Sequence, residues 1–594
     1  MPEGFTILTD KPQQDEEEGR TGQRQQIVDA VLDAGVLFWR DPDWNTFATV
    51  KGQRGEIARF RVRTKAFAML VRSIYAKRHP TRSGHPGSVS DKALSEALPA
   101  LEAMAINEAP RLHEVRVLRD KGVIWLDLGN EDWQLVRIDA NGWRIVASAD
   151  VPLVRPVGVR ALPVPSADPD ALAKLRRLLN LWVPRDAAGQ EDLADLRLVT
   201  AWLLAALYPS GPYPVLALDG EQGSGKSTAS KMLRRLVDPN MAEHRATPRS
   251  EDDLLIAAQN GRIVAIDNVS YLDPDMADAL CRLATGAGFS KRRLYSDSEE
   301  VIVSVARPVL LNGIPSLLAR GDLADRALAI ALPPIPDAAR KPEDEVWKDF
   351  EAAAPGILAL LLDGLALALK RLPTLRLSRL PRMADFARLA CAAAPAFGWT
   401  EEEMLEAIEG NRAAAVANVI EADPIAVAIQ SIATNHASHT AWTGSATRLL
   451  ELVNEAVPIE IQRERGYPKD AARLSARLKR VSPALRRAGV TVTLPTSGGR
   501  AGREIRISLW EQEGEQRSER SQRSTPDNPD TYFTEAGTAQ RSGNAAERSG
   551  NADESGQCYD KPLNNKDRNA GNARNADSST LGSRTSPPVW EETL

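Results

Sequence analysis

Apolar positions change period along the chain, and the changes mark its elements. Runs 46–50 and 57–62 alternate apolar and polar residues, as half-buried strands do. Runs 64–78 and 90–106 repeat at helical spacing, with Ser88 or Ser90 placed to cap the second. Strand-like runs follow at 112–118, 123–128 and 133–138. Ala140, Asn141 and Gly142 then form a hairpin turn signal before a run at 143–147. Together these predict an α+β N-terminal domain over 23–165. Residues 152–169 are rich in proline and read as a linker. Helices are expected at 171–181 and 193–208. After them, apolar strands alternate with helices up to 336, the pattern of an α/β domain with a parallel sheet over 166–336. Residues 337–423 are helical and rich in Ala and Leu, and read as a lid. In 424–510, helices at 444–454, 470–480 and 483–488 precede strands at 490–494 and 504–509 across a Ser497, Gly498, Gly499 turn. Three helices and a two-stranded wing predict a winged helix. The acidic 1–22 and the Ser-, Asn-, Arg- and Gln-rich 511–594 have no periodicity and are expected to be disordered.

Composition narrows the class. The chain has 594 residues, enough for several cores. Lys and Arg number 75 against 80 Asp and Glu, for a net charge of −5, which excludes a uniformly basic nucleic-acid coat. Any nucleic-acid surface must be a local patch, and there are two. Residues 463–506 carry twelve cations against three acids, and residues 51–82 carry ten against Glu56 alone, +9 in each case. The most apolar run, 357–369, is short and contains Asp363, so no membrane span is expected. No signal-peptide pattern opens the sequence. Cys281, Cys391 and Cys558 are too far apart for a metal knuckle and too few for a disulfide framework, so a cytoplasmic, reducing compartment is expected.

The strongest chemical signal is Gly220, Glu221, Gln222, Gly223, Ser224, Gly225, Lys226, Ser227, which fits GxxxxGK[ST] between a buried strand at 215–218 and a helix from Thr228. Glycines let backbone N–H groups wrap phosphates, and the helix N-terminus adds partial positive charge. Lys226 is expected to reach the β- and γ-phosphates of ATP, and Ser227 to bind Mg²⁺. A second apolar strand, 262–267, ends in Asp267, a second expected Mg²⁺ ligand. Asn268 follows, where ATPases of this type often carry a water-activating Glu. Glu221 is a substitute or simply an exposed loop carboxylate. A third strand, 308–311, ends in Asn312, which would orient the attacking water or, with Gly313, form a turn. Arg326, and second to it Arg320, would act as a finger on a neighbouring subunit's γ-phosphate, or pair with Asp322 or Asp325.

On residues 220–227, 263–268, Asn312 and Arg326 the sequence resembles the AAA+ ATPases of the superfamily-three helicase branch. It resembles more closely the phage and mobile-element ATP-binding proteins related to the helicase half of virus-type primase-helicases. Stretches 280–286, 294–297, 307–314 and 381–386 support this, and the likeness covers roughly residues 165–510. It implies a P-loop, AAA+-like core and an oligomeric ATPase acting on DNA during replication of an element. Asn268 departs from the pattern. In that family a hairpin between the second and third strands grips single-stranded DNA in a ring channel. Here the corresponding residues are Lys291, Arg292 and Arg293 with Tyr295, unless they pair with Glu299 and Glu300. Arg473, Arg477, Arg486 and Arg487 would meet duplex DNA from the winged helix, or form a solvated face. Arg382 is placed to sense nucleotide from the lid.

The sequence thus predicts an ATP-hydrolysing DNA motor, a ring-forming (hexameric) replicative helicase of a phage or mobile element. The alternative is a nucleotide-switched DNA-binding regulator with slow hydrolysis.

Overall fold

The computed structural model describes residues 22–509, apart from 148, 182, 185–190, 293–299, 304, 314–320, 436–440, 465 and 496–503. Readings of Arg293, Tyr295, Arg320, the 497–499 turn, Cys558 and both tails therefore lie outside the described residues.

The chain opens with α1 (Gln23–Asp33), β1 (Leu37–Arg40), β2 (Thr46–Lys51), β3 (Ile57–Arg61), α2 (Lys65–Arg78) and α3 (Asp91–Ile106). Three antiparallel strands in the order β1-β2-β3 pack one face on the three helices. Thr64 and Ser90 cap α2 and α3 by accepting from the N–H groups of Phe67 and Ala93, which fixes where each helix starts. The expected strand at 112–118 divides into β4 (Glu114–Val115) and β5 (Val117–Asp120). Arg116 between them takes a left-handed φ of 68° and interrupts the ladder. A meander follows of β5, β6 (Val123–Asp127), β7 (Leu135–Asp139) and β8 (Gly142–Val146).

The expected linker at 152–169 is instead packed into the fold. Its β9 (Leu153–Val154) pairs with β4, Leu162 is buried, and its backbone donates to Leu128 and Pro239. Prolines suit it because few of its N–H groups are needed for ladder bonds.

Next come α4 (Ala171–Leu178), α5 (Ala194–Leu207), β10 (Val215–Gly220), α6 (Lys226–Val237), α7 (Glu251–Gln259), β11 (Val264–Val269), α8 (Pro274–Thr285), β12 (Phe289–Arg292), β13 (Glu300–Val303), β14 (Val309–Gly313), α9 (Gly321–Ala324) and β15 (Ala327–Leu332). Four strands form one parallel sheet in the order β11-β14-β10-β15, and β12 and β13 form a separate antiparallel hairpin. Both faces of the parallel sheet are covered, so its strands read as unbroken apolar runs.

The helices α10 (Glu343–Arg371), α11 (Ala384–Ala393) and α12 (Glu401–Glu421) follow. Among the described residues α10 alone is long and apolar enough to cross a membrane by length and composition, and 67% of its most apolar window is buried in the fold. Its Ile357, Leu358, Leu361, Leu362 and Leu365 share a core with Leu216 and Leu218 of β10.

The chain continues through α13 (Pro424–Asn435), β16 (Trp442–Ser445), α14 (Ala446–Ala456), α15 (Ile459–Gln462), α16 (Ala471–Arg487), β17 (Val490–Thr493) and β18 (Glu504–Leu509). Two expectations are corrected here. The helix read from 444 starts at Ala446, because Trp442–Ser445 adds a third strand to a β16-β18-β17 sheet. The helices read at 470–480 and 483–488 are one helix. Pro483 is exposed, so the carbonyl it leaves without a donor faces water. Cys281 and Cys391 are buried, and burial pushes the Cys391 thiol up to about 12.

A buried ion pair joins the N-terminal meander to the parallel sheet. Arg116 Nε lies 3.4 Å from Asp238 Oδ1, and both side chains are fully buried. Arg116 also donates to the carbonyls of Asp127, Arg160 and Pro239, while Asp238 Oδ2 accepts from the Arg262 N–H at 2.8 Å. Removing one partner leaves the other charge buried and alone, at a cost of about 3–5 kcal/mol. Asp238→Ala is expected to lower unfolding free energy by about that amount in denaturant titration. A loss below about 1 kcal/mol would show that the pair does not join the two parts.

Candidate functional site

The phosphate-loop candidate lies at the C-terminal end of β10. Gly220 has φ 147°, and a Cβ there would stand 2.4 Å from the Leu332 carbonyl oxygen and 2.8 Å from Ser224 Oγ. Only glycine fits. Gly225 caps α6 in the left-handed region with no side-chain cap, so the first N–H groups of the helix point outward without a side-chain acceptor. Ser224 is fully buried, Thr228 half-buried, and Glu221, Gln222 and Gly223 exposed. Lys226 Nζ donates to the carbonyls of Gly220 at 2.6 Å and Glu221 at 2.7 Å. The loop is braced from outside by Asn180 Nδ2, which donates to the carbonyls of Ser224 and Pro333, and by the Ile335 N–H on the Gly223 carbonyl. Arg340 carries its guanidinium beside Gly223, 3.4 Å from where a Cβ would stand.

The two expected metal ligands meet directly. Ser227 Oγ donates to Asp267 Oδ1 at 3.0 Å. The other carboxylate oxygen, Oδ2, lies 3.2 Å from His244 Nδ1, and His244 Nε2 is 2.9 Å from Ser230 Oγ. His244 reaches this place because Arg245 runs beside β11. The Arg245 N–H donates to Ala265, and the Asp267 N–H donates to Arg245. The sequence does not announce this residue, since a histidine in an aperiodic run carries no local signal of its neighbours. Burial, more than any charge, holds the His244 imidazole below its ordinary range. Burial would raise the Asp267 carboxyl, but the neighbouring Asn312 amide, His244 and Ser227 together hold it below the usual carboxylate range.

Asn268 and Asn312 interlock. The sheet register shifts between Ile266 and Val269, and Asn268 takes φ 52° with its side chain exposed. Its N–H donates to Asn312 Oδ1 at 2.7 Å. Asn312 is 1% exposed, and its amide neighbours the Asp267 carboxylate. So Asn268 contributes backbone here, and the exposed side chain is not aimed at Asn312.

Arg326 lies elsewhere. It is half-buried and immediately precedes β15, with its carbonyl accepting from the Val215 N–H at the start of β10. The phosphate loop is at the other end of that strand, five residue steps or about 17 Å away at roughly 3.3 Å per residue. The neighbouring Asp325 carboxylate is held by Arg382, by Arg412 at 3.1 Å and by Arg487 at 2.6 Å. The expected sensor Arg382 is thus committed to Asp325.

The nucleic-acid candidates divide. Lys291 and Arg292 lie on β12, opposite Val301 and Glu300 of β13. On α16, Arg477 reaches Asp423 at 2.9 Å and Arg487 reaches Asp325, so both tie the C-terminal unit inward. Arg473, Lys479, Arg480 and Arg486 are exposed, and Arg473 lies 3.5 Å from the exposed Asp470. The +9 patch at 51–82 is partly offset by acids from outside it, which pair with five of its ten cations. Arg54 meets Asp132, Arg63 meets Glu102, Arg72 meets Asp91 and Arg78 meets Asp33. Arg59 is buried beside Asp150, and burial pushes it down to about 10. Asp127 is likewise structural, gripped by Arg155 at 2.6 and 2.8 Å.

Against this geometry stand the likenesses to known proteins. Residues 187–413 match the family described as the actinomycete integrative conjugative element replication protein. Residues 425–525 match the C-terminal domain of the same kind of protein. The chain is therefore related, over these two segments, to replication proteins of actinomycete integrative conjugative elements. Three solved structures of the NrS-1 C-terminal region are also similar. They have 13%, 12% and 12% identity and TM-scores of 0.36, 0.33 and 0.36. They cover 81%, 81% and 82% of this chain and 98%, 98% and 100% of their own. No protein of curated function matches.

The left-handed backbone at Asn268 sets a local test. Asn268→Gly is expected to leave stability within about 0.5 kcal/mol, while Asn268→Glu loses about 1 kcal/mol in chemical denaturation, because a longer side chain resists that φ. Equal stability of the two variants would refute the constraint.

Proposed function

We propose that the chain is an ATP-hydrolysing DNA motor, a ring-forming replicative helicase of a mobile element, with a P-loop core and a C-terminal winged helix. The observation that carries this is the convergence of Lys226, Ser227, Asp267 and Asn312 at one end of the parallel sheet. Crevices at the carboxyl ends of parallel strands are where such folds bind ligands.

The residues fit Mg-ATP. The Gly220 cradle leaves room only for backbone, Gly225 opens a helix N-terminus, and the buried Asn312 amide stands beside the Asp267 carboxylate. The loop N–H groups and Lys226 would bind the phosphates, Lys226 exchanging two carbonyls for phosphate oxygens. Ser227 and Asp267 would hold Mg²⁺, which supplies charge neutralisation on the phosphates when bound. His244 stands 3.2 Å from the second Asp267 oxygen and would help orient the carboxylate. Asn312 Nδ2 would orient the attacking water, fixed in place by the Asn268 N–H on its oxygen. Arg326 is too far from its own loop to serve it, which supports a role on the phosphates of a neighbouring copy. The β12–β13 hairpin is the element proposed to grip single-stranded DNA, and the cationic outer face of α16 the one proposed to meet duplex DNA. The family likeness to element replication proteins supports the replication setting.

One observation favours a second reading, a nucleotide-operated switch with slow turnover. No carboxylate follows Asp267, and Asn268 is locked by its backbone. The motor reading expects ATP turnover that single-stranded DNA stimulates. Turnover that DNA leaves unchanged would favour the switch.

Lys226→Ala is expected to reduce ATP turnover by about 100-fold or more while leaving the circular dichroism unchanged. Parental turnover in that variant would displace the site. For duplex DNA, replacing Arg473 and Arg486 with Gln is expected to weaken binding. The slope of log affinity against log salt is expected to fall by about 0.9 for each phosphate no longer neutralised. An unchanged slope would remove α16 from the DNA interface.

A further inference from the structure

The most unusual charge arrangement outside the phosphate loop is at Asp325. Its carboxylate is fully buried, yet it is shared by three arginines from three parts of the chain. Arg382 lies just before α11, Arg412 lies within α12, and Arg487 ends α16 of the C-terminal unit. Each arginine is itself 29–38% exposed, so the carboxylate is the inner, fixed member and the guanidiniums close over it. A buried carboxylate with this many charge-assisted bonds is held far more firmly than a surface pair.

Asp325 is joined by one peptide bond to Arg326. The segment between α9 and β15 is held by backbone at both ends. The Arg326 N–H donates to Leu323, and the Arg326 carbonyl accepts from Val215. Leu323 and Ala324 are buried beneath it. Backbone bonds therefore fix Arg326 while the side-chain pairs fix its neighbour Asp325 to the helical and C-terminal units.

We propose that Asp325 is a positioning residue for Arg326. The three-arginine clamp sets where the Arg326 guanidinium projects, so that its action on a neighbouring copy's nucleotide requires the C-terminal unit to be seated. This rests on the ATPase reading above. The clamp is remote from the phosphate loop of its own subunit, so it acts on turnover in the adjacent subunit and leaves nucleotide binding in its own alone.

The test uses the full chain and three variants. Asp325→Asn keeps the shape and removes the charge. Arg487→Gln removes one clamp arm and keeps the carboxylate paired to the other two, in case the first variant folds poorly. Lys226→Ala has a disabled site and an intact Arg326. ATP turnover is measured for each alone and for mixtures, with binding of a fluorescent ATP analogue measured on the same samples. Asp325→Asn is expected to bind the analogue with unchanged affinity and to lose at least tenfold in turnover, and Arg487→Gln to lose about threefold. Mixing Asp325→Asn with Lys226→Ala is expected to raise turnover above either alone, because an intact loop then meets an intact Arg326 from its neighbour. A residue needed only for folding would not be rescued in this way. Parental turnover in Asp325→Asn, loss of analogue binding, or a mixture no more active than its parts would each overturn the proposal. An unmodified chain that binds the analogue but does not turn over ATP would instead overturn the ATPase reading, and this inference with it.

Discussion

The parallel pairing of β10 between β14 and β15 is the constraint on which the rest depends. Parallel strands start together and end together. Residues at their ends, Gly220, Asp267 and Asn312, are brought to one edge although they are far apart in sequence. Residues at their starts, Val215 and Arg326, are brought to the other edge. The same register that assembles the proposed nucleotide site therefore expels Arg326 from it. The separation follows from strand length alone.

Local chemistry is legible in the sequence, and long-range electrostatics is not. The glycine loop can be read because its spacing, its strand and its helix lie within one short run. The strands ending in Asp267 and Asn312 can be read because buried parallel strands are continuous apolar runs. The hydrogen bond between Ser227 and Asp267 follows from those two readings together. His244 is not legible, since what makes it matter is a chain pairing beside β11. Nor is the fate of Arg382, Arg477 and Arg487, because a sequence presents cations without their partners. The patch at 51–82 has the same origin. Its cations stand in one run, while the acids that pair with five of them stand at 33, 91, 102, 132 and 150. The strand at 442–445 is hidden because Gly444 looks like a helix start. The helix break expected at Pro483 does not occur, because an exposed proline can be carried by a helix.

Buried charge is used here to join parts. Arg116 with Asp238, Arg307 with Glu114 at 3.0 Å, and Arg262 on the Ala206 and Tyr208 carbonyls all cross from one layer of structure to another. A hydrophobic contact of equal area would tolerate sliding. A guanidinium whose donors each have a named carbonyl or carboxylate tolerates very little, because every displacement leaves a buried polar group unpaired. Such pairs add less stability than they add registry.

The same logic gives α16 two characters. Its buried residues, Leu474, Leu478, Val481 and Leu485, hold it in the C-terminal core. Arg477 and Arg487 extend from its flanks to Asp423 and Asp325, at the joint between α12 and α13 and at the segment before β15. Its remaining face presents Arg473, Lys479, Arg480 and Arg486 to solvent, with Ala472, Ala476 and Pro483 between them. Small side chains between cations let a polyanion approach the helix closely. One ion pair holds this helix at the α12–α13 joint and another holds it at the segment before β15, while its cationic face stays open to solvent. The exposed cations and the arginine that pairs with residue 325 thus lie on one continuous helix, a contiguous physical link that a coupling between nucleic acid and the parallel sheet would use.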